Sequence, residues 1–97
     1  MVVNMYVIVV YDISTATKGG RKRLPKVMKK CGEFLHHTQK SVFEGEISEA
    51  KLLALKVALE KLINDKEDYV VFYKLANKNN LERENIGIDF DPTANIL

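Results

Sequence analysis

The sequence predicts an α+β fold, in which two helices lie against one face of an antiparallel β-sheet. Three observations lead to this class. Apolar runs rich in β-branched and aromatic residues occur near the start, in the middle and in the last third of the chain. Two stretches with a helical repeat of apolar residues separate these runs. The 97 residues suffice for one hydrophobic core and not for two, so we expect a single domain over residues 1–97.

The first predicted strand covers residues 2–13 and is apolar almost throughout. Such a run is typical of a central strand that is buried on both faces. A Thr-Lys-Gly-Gly sequence at 17–20 predicts a loop, and a helix should begin near residues 21–24 and end at Gly32. Pro25 would then lie in the first turn, where a missing amide costs nothing. One face of this helix carries the apolar residues Leu24, Val27, Met28 and Cys31.

Residues 33–47 contain many strand formers and predict either one long strand or two short ones with a kink. Ser48 is a good N-cap for the second helix. The core stripe of that helix is Leu52, Leu55, Leu59, Leu62 and Ile63. Leu53 and Val57 fall on a separate flank, which a lone domain would leave exposed to water. Residues 69–73 predict another buried strand, and 85–90 a short edge strand.

The order strand, helix, strand, helix, strand predicts a ferredoxin-like two-layer sandwich, with both helices on one face of the sheet. The other face would have no helix to cover it. Because the strands carry so many apolar residues, we expect a second copy of the chain to cover this open face. The sequence therefore predicts a homodimer formed through the open sheet face.

Positive charge is concentrated in the first predicted helix. Seven of the 15 Lys and Arg residues lie between Lys18 and Lys30, with none of the 13 acidic residues, so the rest of the chain is net acidic. A localised positive patch of this kind suits the phosphates of a nucleic acid. The alternative interpretation is an ordinary solvated helix face that is rich in lysine.

Several classes of site and location are excluded by the residues present. A single cysteine permits no intrachain disulfide, and no signal peptide or membrane span is evident, so we expect a cytoplasmic protein. The Gly-Lys-Ser/Thr ending of a phosphate-binding loop is missing. His36 and His37 are adjacent on a predicted strand, so their side chains should point to opposite faces and share no metal.

Asp12, at the end of the first strand, is the best candidate for chemistry. A carboxylate beside a basic helix could hold Mg²⁺ next to a phosphate, particularly if a dimer axis brings two copies together. The alternative is that Asp12 only caps the turn. Arg21 and Arg23 could fork onto phosphate oxygens. Tyr11 could orient a ligand or simply pack, and Phe43 could stack on a base or lie in the core.

The sequence resembles the CRISPR-associated endonuclease two family. The resemblance lies in Tyr-Val-Ile-Val-Val-Tyr-Asp-Ile at 6–13, in the basic helix, and in Gln-Lys-Ser-Val-Phe-Glu-Gly at 39–45. It implies a ferredoxin-like homodimer whose last strand and tail, about residues 77–97, cross to the partner. It also implies a magnesium-dependent nuclease, with Mn²⁺ as an alternative ion, that acts on single-stranded RNA or double-stranded DNA.

The resemblance assigns roles to individual residues. Asp12 matches the metal ligand and catalytic residue of the family. The nucleic-acid contacts that it implies are Tyr11, Arg21, Arg23, Ser41 and Phe43. Family members also bridge two dimers of the CRISPR integrase and hold the spacer duplex during spacer acquisition. An enzyme and a non-catalytic, DNA-binding adaptor of the integrase are therefore both open as functions.

Overall fold

The computed structural model describes residues 3–88, and the structural statements below concern this part of the chain. Its elements follow the order β-α-β-β-α-β. They are β1 (Asn4–Asp12), α1 (Lys18–Gly32), β2 (His36–Gln39), β3 (Val42–Ser48), α2 (Glu49–Leu62) and β4 (Tyr69–Leu75), followed by a 3₁₀ turn at Lys78–Asn80. This is the element order of ferredoxin-like proteins.

The strands form one antiparallel sheet in the order β2-β3-β1-β4. The predicted α+β class, with an antiparallel sheet and two helices, is confirmed. Residues 33–47 form two strands and not one, joined by a turn at Lys40 and Ser41, with an irregular register between His37 and Gln39. The strand β1 is central, as predicted, because it pairs with both β3 and β4.

The hydrophobic core lies between the sheet and the helices. Helix α1 contributes Val27 and Cys31, and α2 contributes Leu52, Leu55 and Leu59, as their apolar spacing predicts. The sheet contributes alternate residues, among them Val7, Val9, Tyr11, Phe43 and Ile47. Ser48 caps α2 as predicted, since its hydroxyl accepts the Lys51 N–H at 3.3 Å.

Helix α1 begins earlier than the sequence predicts. It starts at Lys18 and is capped by Thr17, whose hydroxyl accepts the Gly20 N–H at 3.1 Å. The predicted loop at 17–20 is therefore wrong. Pro25 is the eighth residue of α1, at the start of its third turn and not in its first. Gly20 is required by packing and not by a loop: a Cβ there would lie 1.6 Å from the carbonyl oxygen of Ser14.

The face of the sheet opposite the helices is only partly covered. Ile8, Val10 and Val71 are half-buried on this open face, while Tyr69 and Tyr73 of β4 are 53% and 56% exposed. In the single chain, the predicted burial of the first strand on both faces is therefore wrong, and so is full burial of the strand at 69–73, because helices cover one face only. Covering of the open face by a second copy stays a prediction.

The predicted strand at 85–90 lies partly outside the described residues, as does the crossing segment 77–97. Up to residue 88 the chain forms no strand after β4. On the flank of α2, Leu53 and Val57 are exposed, as predicted. Neither α1 nor α2 has the length and apolar character that a membrane span requires.

Candidate active site

Several predicted site residues meet at one edge of the sheet. Because the strands are antiparallel, the carboxyl end of β1 lies beside the amino ends of β3 and β4. The Tyr11 N–H donates to the Ser41 carbonyl at 3.1 Å, and Asp12 pairs with Tyr69. We call this region the Asp12 edge, consisting of Asp12, Lys40, Ser41 and Tyr69.

The Asp12 side chain is exposed on the open face of the sheet. Val7, Val9 and Tyr11 point into the helix layer, so the alternate residues, which include Asp12, point to the opposite side. Within residues 3–88 its carboxylate has no hydrogen bond or ion pair. The alternative role as a turn cap is therefore not supported, and the amide of Ser14 in this loop donates to Asp68 instead.

A single exposed carboxylate fits Mg²⁺ or Mn²⁺ only in a solvent-exposed site, where water and substrate supply most of the ligands. In the described part of the chain, no three His, Cys, Asp or Glu side chains are grouped closely enough to cage a metal. Magnesium commonly retains several waters and takes one or two carboxylates together with substrate phosphates. Asp12 has the hard oxygen ligands and the solvent access that such a site needs.

Asp68, which sequence reasoning missed, organises the loop that follows Asp12. Its side chain is fully buried and accepts the backbone N–H groups of Ser14 at 3.0 Å and Asn64 at 2.9 Å. Burial raises the pKa of Asp68, but hydrogen bonds from Arg23, Asn64 and Ser14 outweigh it and hold the pKa below its usual value. The carboxylate is therefore ionised at neutral pH.

Arg23 is the cation that balances Asp68. Its Nε donates to one Asp68 oxygen at 2.8 Å, and its Nη2 donates to Glu67 at 2.8 Å. The hydrogen bond to Asp68 raises the pKa of Arg23 above its usual value. Because these donors are already used, the structure places Arg23 in an internal ion-pair network, and does not present it as the predicted phosphate contact.

Arg21 differs from Arg23 in its surroundings. It is exposed, and one guanidinium nitrogen donates to the Thr15 carbonyl at 3.0 Å. The guanidinium group has five N–H donors, so most of them are free for an anion. Arg21 therefore remains a candidate phosphate contact, held over the loop that links Asp12 to α1.

Tyr11 and Phe43 are core residues in the structure. They are 2% and 3% exposed, and burial raises the pKa of Tyr11 to about 12. The Tyr11 hydroxyl donates to the Lys40 carbonyl at 3.1 Å, and Phe43 stacks on His37 at 4.4 Å between ring centroids. Neither ring offers a free face to a base, so the structure does not present them as the predicted nucleic-acid contacts. Ser41 is half-buried beside them.

The turn between β2 and β3 is held by these core residues. The Lys40 carbonyl accepts the Tyr11 hydroxyl and lies 3.2 Å from Nε2 of His37. His37 faces the helix layer and His36 is exposed, consistent with their predicted alternation. Tyr11 and Phe43 therefore hold the turn between β2 and β3, part of the Asp12 edge, from the helix side of the sheet.

Sequence reasoning also missed Glu44, a buried carboxylate on the open face. It accepts the hydroxyl of Tyr6 at 2.7 Å and that of Thr38 at 3.0 Å, and it pairs with Arg83. Glu44 belongs to the motif at 39–45, but its partners come from three other segments. For Asp68, the only local signal is an acidic residue directly before an apolar strand, and its partner Ser14 is 54 residues away.

A stripe of exposed lysines runs along α1, the element that follows β1 in the chain. Lys18, Lys22, Lys26 and Lys29 are exposed and recur every three or four residues, so they lie on one side of the helix. Lys30 is paired with Glu33 at 3.0 Å. The predicted positive patch is therefore present as a solvent-facing surface along α1.

Comparison with known proteins shows which family this chain resembles. The model of the CRISPR associated protein Cas2 family matches residues 5–83. The chain is 42% identical to "CRISPR-associated endoribonuclease Cas2 2" of Moorella thermoacetica, over 93% of this chain and 99% of that protein. It is 44% identical to "CRISPR-associated endoribonuclease Cas2" of Fusobacterium nucleatum, over 96% of this chain and 87% of that one.

Solved structures show the same similarity. A crystal structure described as that of Cas2 superposes with a TM-score of 0.77 at 35% identity, covering 97% of this chain and 99% of the other. The crystal structure of Streptococcus pyogenes Cas2 gives a TM-score of 0.71 at 38% identity, covering 84% and 100% of the two chains. The chain therefore belongs to the CRISPR-associated protein Cas2 family.

Proposed function

We propose that the protein is a Mg²⁺-dependent endonuclease of the CRISPR adaptation machinery, active as a homodimer on single-stranded RNA or double-stranded DNA. The observation that carries this proposal is the position of Asp12 at the carboxyl end of β1, exposed and without a hydrogen-bond or ion-pair partner within residues 3–88. The next element of the chain, α1, carries a row of exposed lysines. The names of the Moorella and Fusobacterium relatives, both endoribonucleases, support the reaction class.

The proposed roles belong to Asp12 and to cations of α1. Asp12 would hold the metal ion, together with Asp12 of a second copy as the other anionic ligand. Bound Mg²⁺ would supply activation of a water molecule and would offset the charge of the scissile phosphate. Arg21 binds a phosphate oxygen through its free donors, and Lys18 and Lys22 attract the polyanion as point charges.

The two Asp12 carboxylates also have a role when no metal is present. In the proposed dimer, two like charges held close together would repel each other. A divalent cation between them would offset this repulsion, so the arrangement would favour metal binding. Mn²⁺, which also takes oxygen ligands, should replace Mg²⁺ in the same site.

Cleavage assays with matched variants test this function. Wild type, Asp12→Asn and the control Asp65→Asn should be incubated with labelled single-stranded RNA and double-stranded DNA, with Mg²⁺ or with excess chelator. Asp65 is an exposed acid in the turn before β4, so its loss should leave activity unchanged. We expect Asp12→Asn to abolish cleavage without loss of fold by circular dichroism. Cleavage that persists in this variant or in chelator would contradict the mechanism.

A second function has its own observation. The lysine stripe runs along α1 from Lys18 to Lys29, as expected for a surface that holds duplex DNA without cutting it. We propose as the alternative a non-catalytic dimeric adaptor that binds duplex DNA and bridges integrase dimers in spacer acquisition. In that case Asp12→Ala should still support spacer capture, and deletion of residues 86–97 should prevent assembly with the integrase. Loss of capture in Asp12→Ala would favour the enzyme.

A further inference from the structure

The backbone just beyond Asp12 is held from two sides at Ser14. The Ser14 N–H donates to Asp68 Oδ1 at 3.0 Å. The Ser14 carbonyl oxygen lies against Gly20, where a Cβ would stand only 1.6 Å away. Both backbone polar groups of Ser14 therefore contact fixed parts of the fold. The chain two residues after Asp12 has little freedom to move.

Asp68 is itself mounted on rigid structure. It directly precedes Tyr69, the partner of Asp12 in the β1–β4 ladder. Its side chain is fully buried, and both oxygens accept hydrogen bonds, Oδ1 from Ser14 and Oδ2 from Asn64 and Arg23. Because no lone pair faces solvent, Asp68 is poorly suited to bind a metal directly. Its contacts are suited to fixing the path of the chain.

The three elements that meet at Asp68 are distant in sequence. Ser14 lies in the loop from β1, Arg23 in the second turn of α1, and Asn64 in the turn after α2. Arg23 supplies the positive charge that offsets the cost of burying the Asp68 carboxylate. Its Nε lies 2.8 Å from Oδ2 and its Nη2 lies 3.3 Å from Oδ1. Loss of this charge pair would release the loop from both the helix and the sheet.

We propose that Asp68, with Arg23 as its partner, is a positioning residue that fixes the Asp12–Ser14 segment in the geometry that the nuclease reaction needs. This inference rests on the proposed function of Asp12. It gives Arg23 a different role from Arg21: Arg23 holds Asp68, and Arg21 contacts phosphate. A displacement of about 1 Å at a catalytic group can cost on the order of 10²-fold in rate, so such a clamp has a large effect without touching substrate.

The test compares Asp68→Asn with Glu67→Gln in the full chain. Asn keeps the shape of the side chain but loses its charge and replaces one acceptor oxygen by a donor. In either orientation of the amide this donor faces Arg23 and one of the two backbone N–H groups, of Ser14 or of Asn64. Glu67→Gln is the matched control, because Glu67 is an exposed carboxylate that pairs with the same guanidinium. Amide hydrogen exchange of Ser14 in the metal-free protein and steady-state cleavage kinetics are measured on each.

We expect Ser14 exchange in Asp68→Asn to be about tenfold faster or more, because the hydrogen bond from Ser14 is either lost or weakened when its acceptor is no longer charged. Exchange of the Val9 amide in β1 should change less. The kcat should fall on the order of 10²-fold with KM little changed, since substrate contacts are intact. Glu67→Gln should resemble wild type in both measurements. An unchanged Ser14 exchange or kcat in Asp68→Asn, or equal losses in the two variants, would overturn the proposal.

Two further outcomes are distinguishable. If Asp68→Asn does not fold, Arg23→Lys replaces it as the test variant. Lysine keeps the charge but cannot bridge both Asp68 oxygens in the same way. Unchanged Ser14 exchange in Arg23→Lys would also overturn the proposal. If wild type shows no Asp12-dependent cleavage, the proposed function fails. Faster Ser14 exchange in the metal-free variant would then still support Asp68 as the residue that holds the loop.

Discussion

The phenol of Tyr6 donates a hydrogen bond to Glu44 at 2.7 Å on the sheet face that carries no helix. Glu44 is 2% exposed, and Thr38 and Arg83 also contact it, so a buried polar cluster lies on this face. Buried polar groups that are all satisfied by hydrogen bonds fix a single arrangement of their neighbours. This cluster therefore fixes the relative positions of β1, β2, β3 and the segment that carries Arg83.

The buried tyrosines predict a loss of stability at alkaline pH. Desolvation raises the pKa of both Tyr6 and Tyr11 from 10.0 to about 12. Between these values the folded state holds more protons than the unfolded state, so the unfolding free energy should fall as the pH rises from 10 to 12. Urea denaturation across this range measures the effect. Tyr11→Phe should flatten the pH dependence, and an equally steep fall in that variant would contradict the assignment.

Gly20 predicts a steric effect that is specific to its position. In Gly20→Ala the new methyl group would lie 1.6 Å from the Ser14 carbonyl oxygen, which is backbone and has to shift. We expect a loss of about 1–3 kcal/mol in unfolding free energy, as for other overpacked sites. The matched control is Gly32→Ala in the same helix, where the nearest atom, on Phe43, is 3.8 Å away.

In Gly32→Ala the helix should keep or gain stability, since alanine is favoured over glycine in helices by about 0.5–1 kcal/mol. Chemical denaturation of the two variants provides the comparison. Equal effects at both positions would show that helix propensity, and not contact with Ser14, decides the outcome.

The two helices show which parts of the fold the sequence could predict and which it could not. The apolar faces of α1 and α2 were predictable, because helix spacing is a local pattern that burial then follows. The start of α1 was not, since two adjacent glycines read locally as a loop. The reason for Gly20 is a contact with Ser14, which becomes visible only when the chain has folded.

The candidate site divides in a similar way. Asp12 could be identified from its place at the end of an apolar strand, and the structure leaves it exposed there. Arg21 and Arg23 are equivalent in sequence, and only the fold brings Asp68 to one of them. Tyr11 and Phe43 belong to strands with two faces, and the residue type alone does not decide which face is covered.

The lysine stripe predicts how nucleic-acid binding depends on salt. A double variant, Lys22→Gln with Lys26→Gln, should weaken binding to every duplex sequence alike and reduce the slope of log K against log salt by about one for each lost phosphate contact. Fluorescence anisotropy over a range of salt concentrations measures this slope. The control is Lys61→Gln, an exposed lysine at the end of α2. A slope that changes as much in the control would place the binding surface elsewhere.

The open face of the sheet predicts the surface through which two copies associate. Tyr69 and Tyr73 are more than half exposed beside half-buried aliphatic residues, which leaves an apolar surface that a second copy would bury. In Tyr73→Glu a charge would be desolvated in that interface, at a cost of several kcal/mol, so the variant should sediment as a monomer. Val57→Glu places the same charge on the exposed flank of α2 and should leave the dimer intact. A monomer in Val57→Glu with a dimer in Tyr73→Glu would assign the interface to the helices, and the two copies of Asp12 could then not share an ion across the open face.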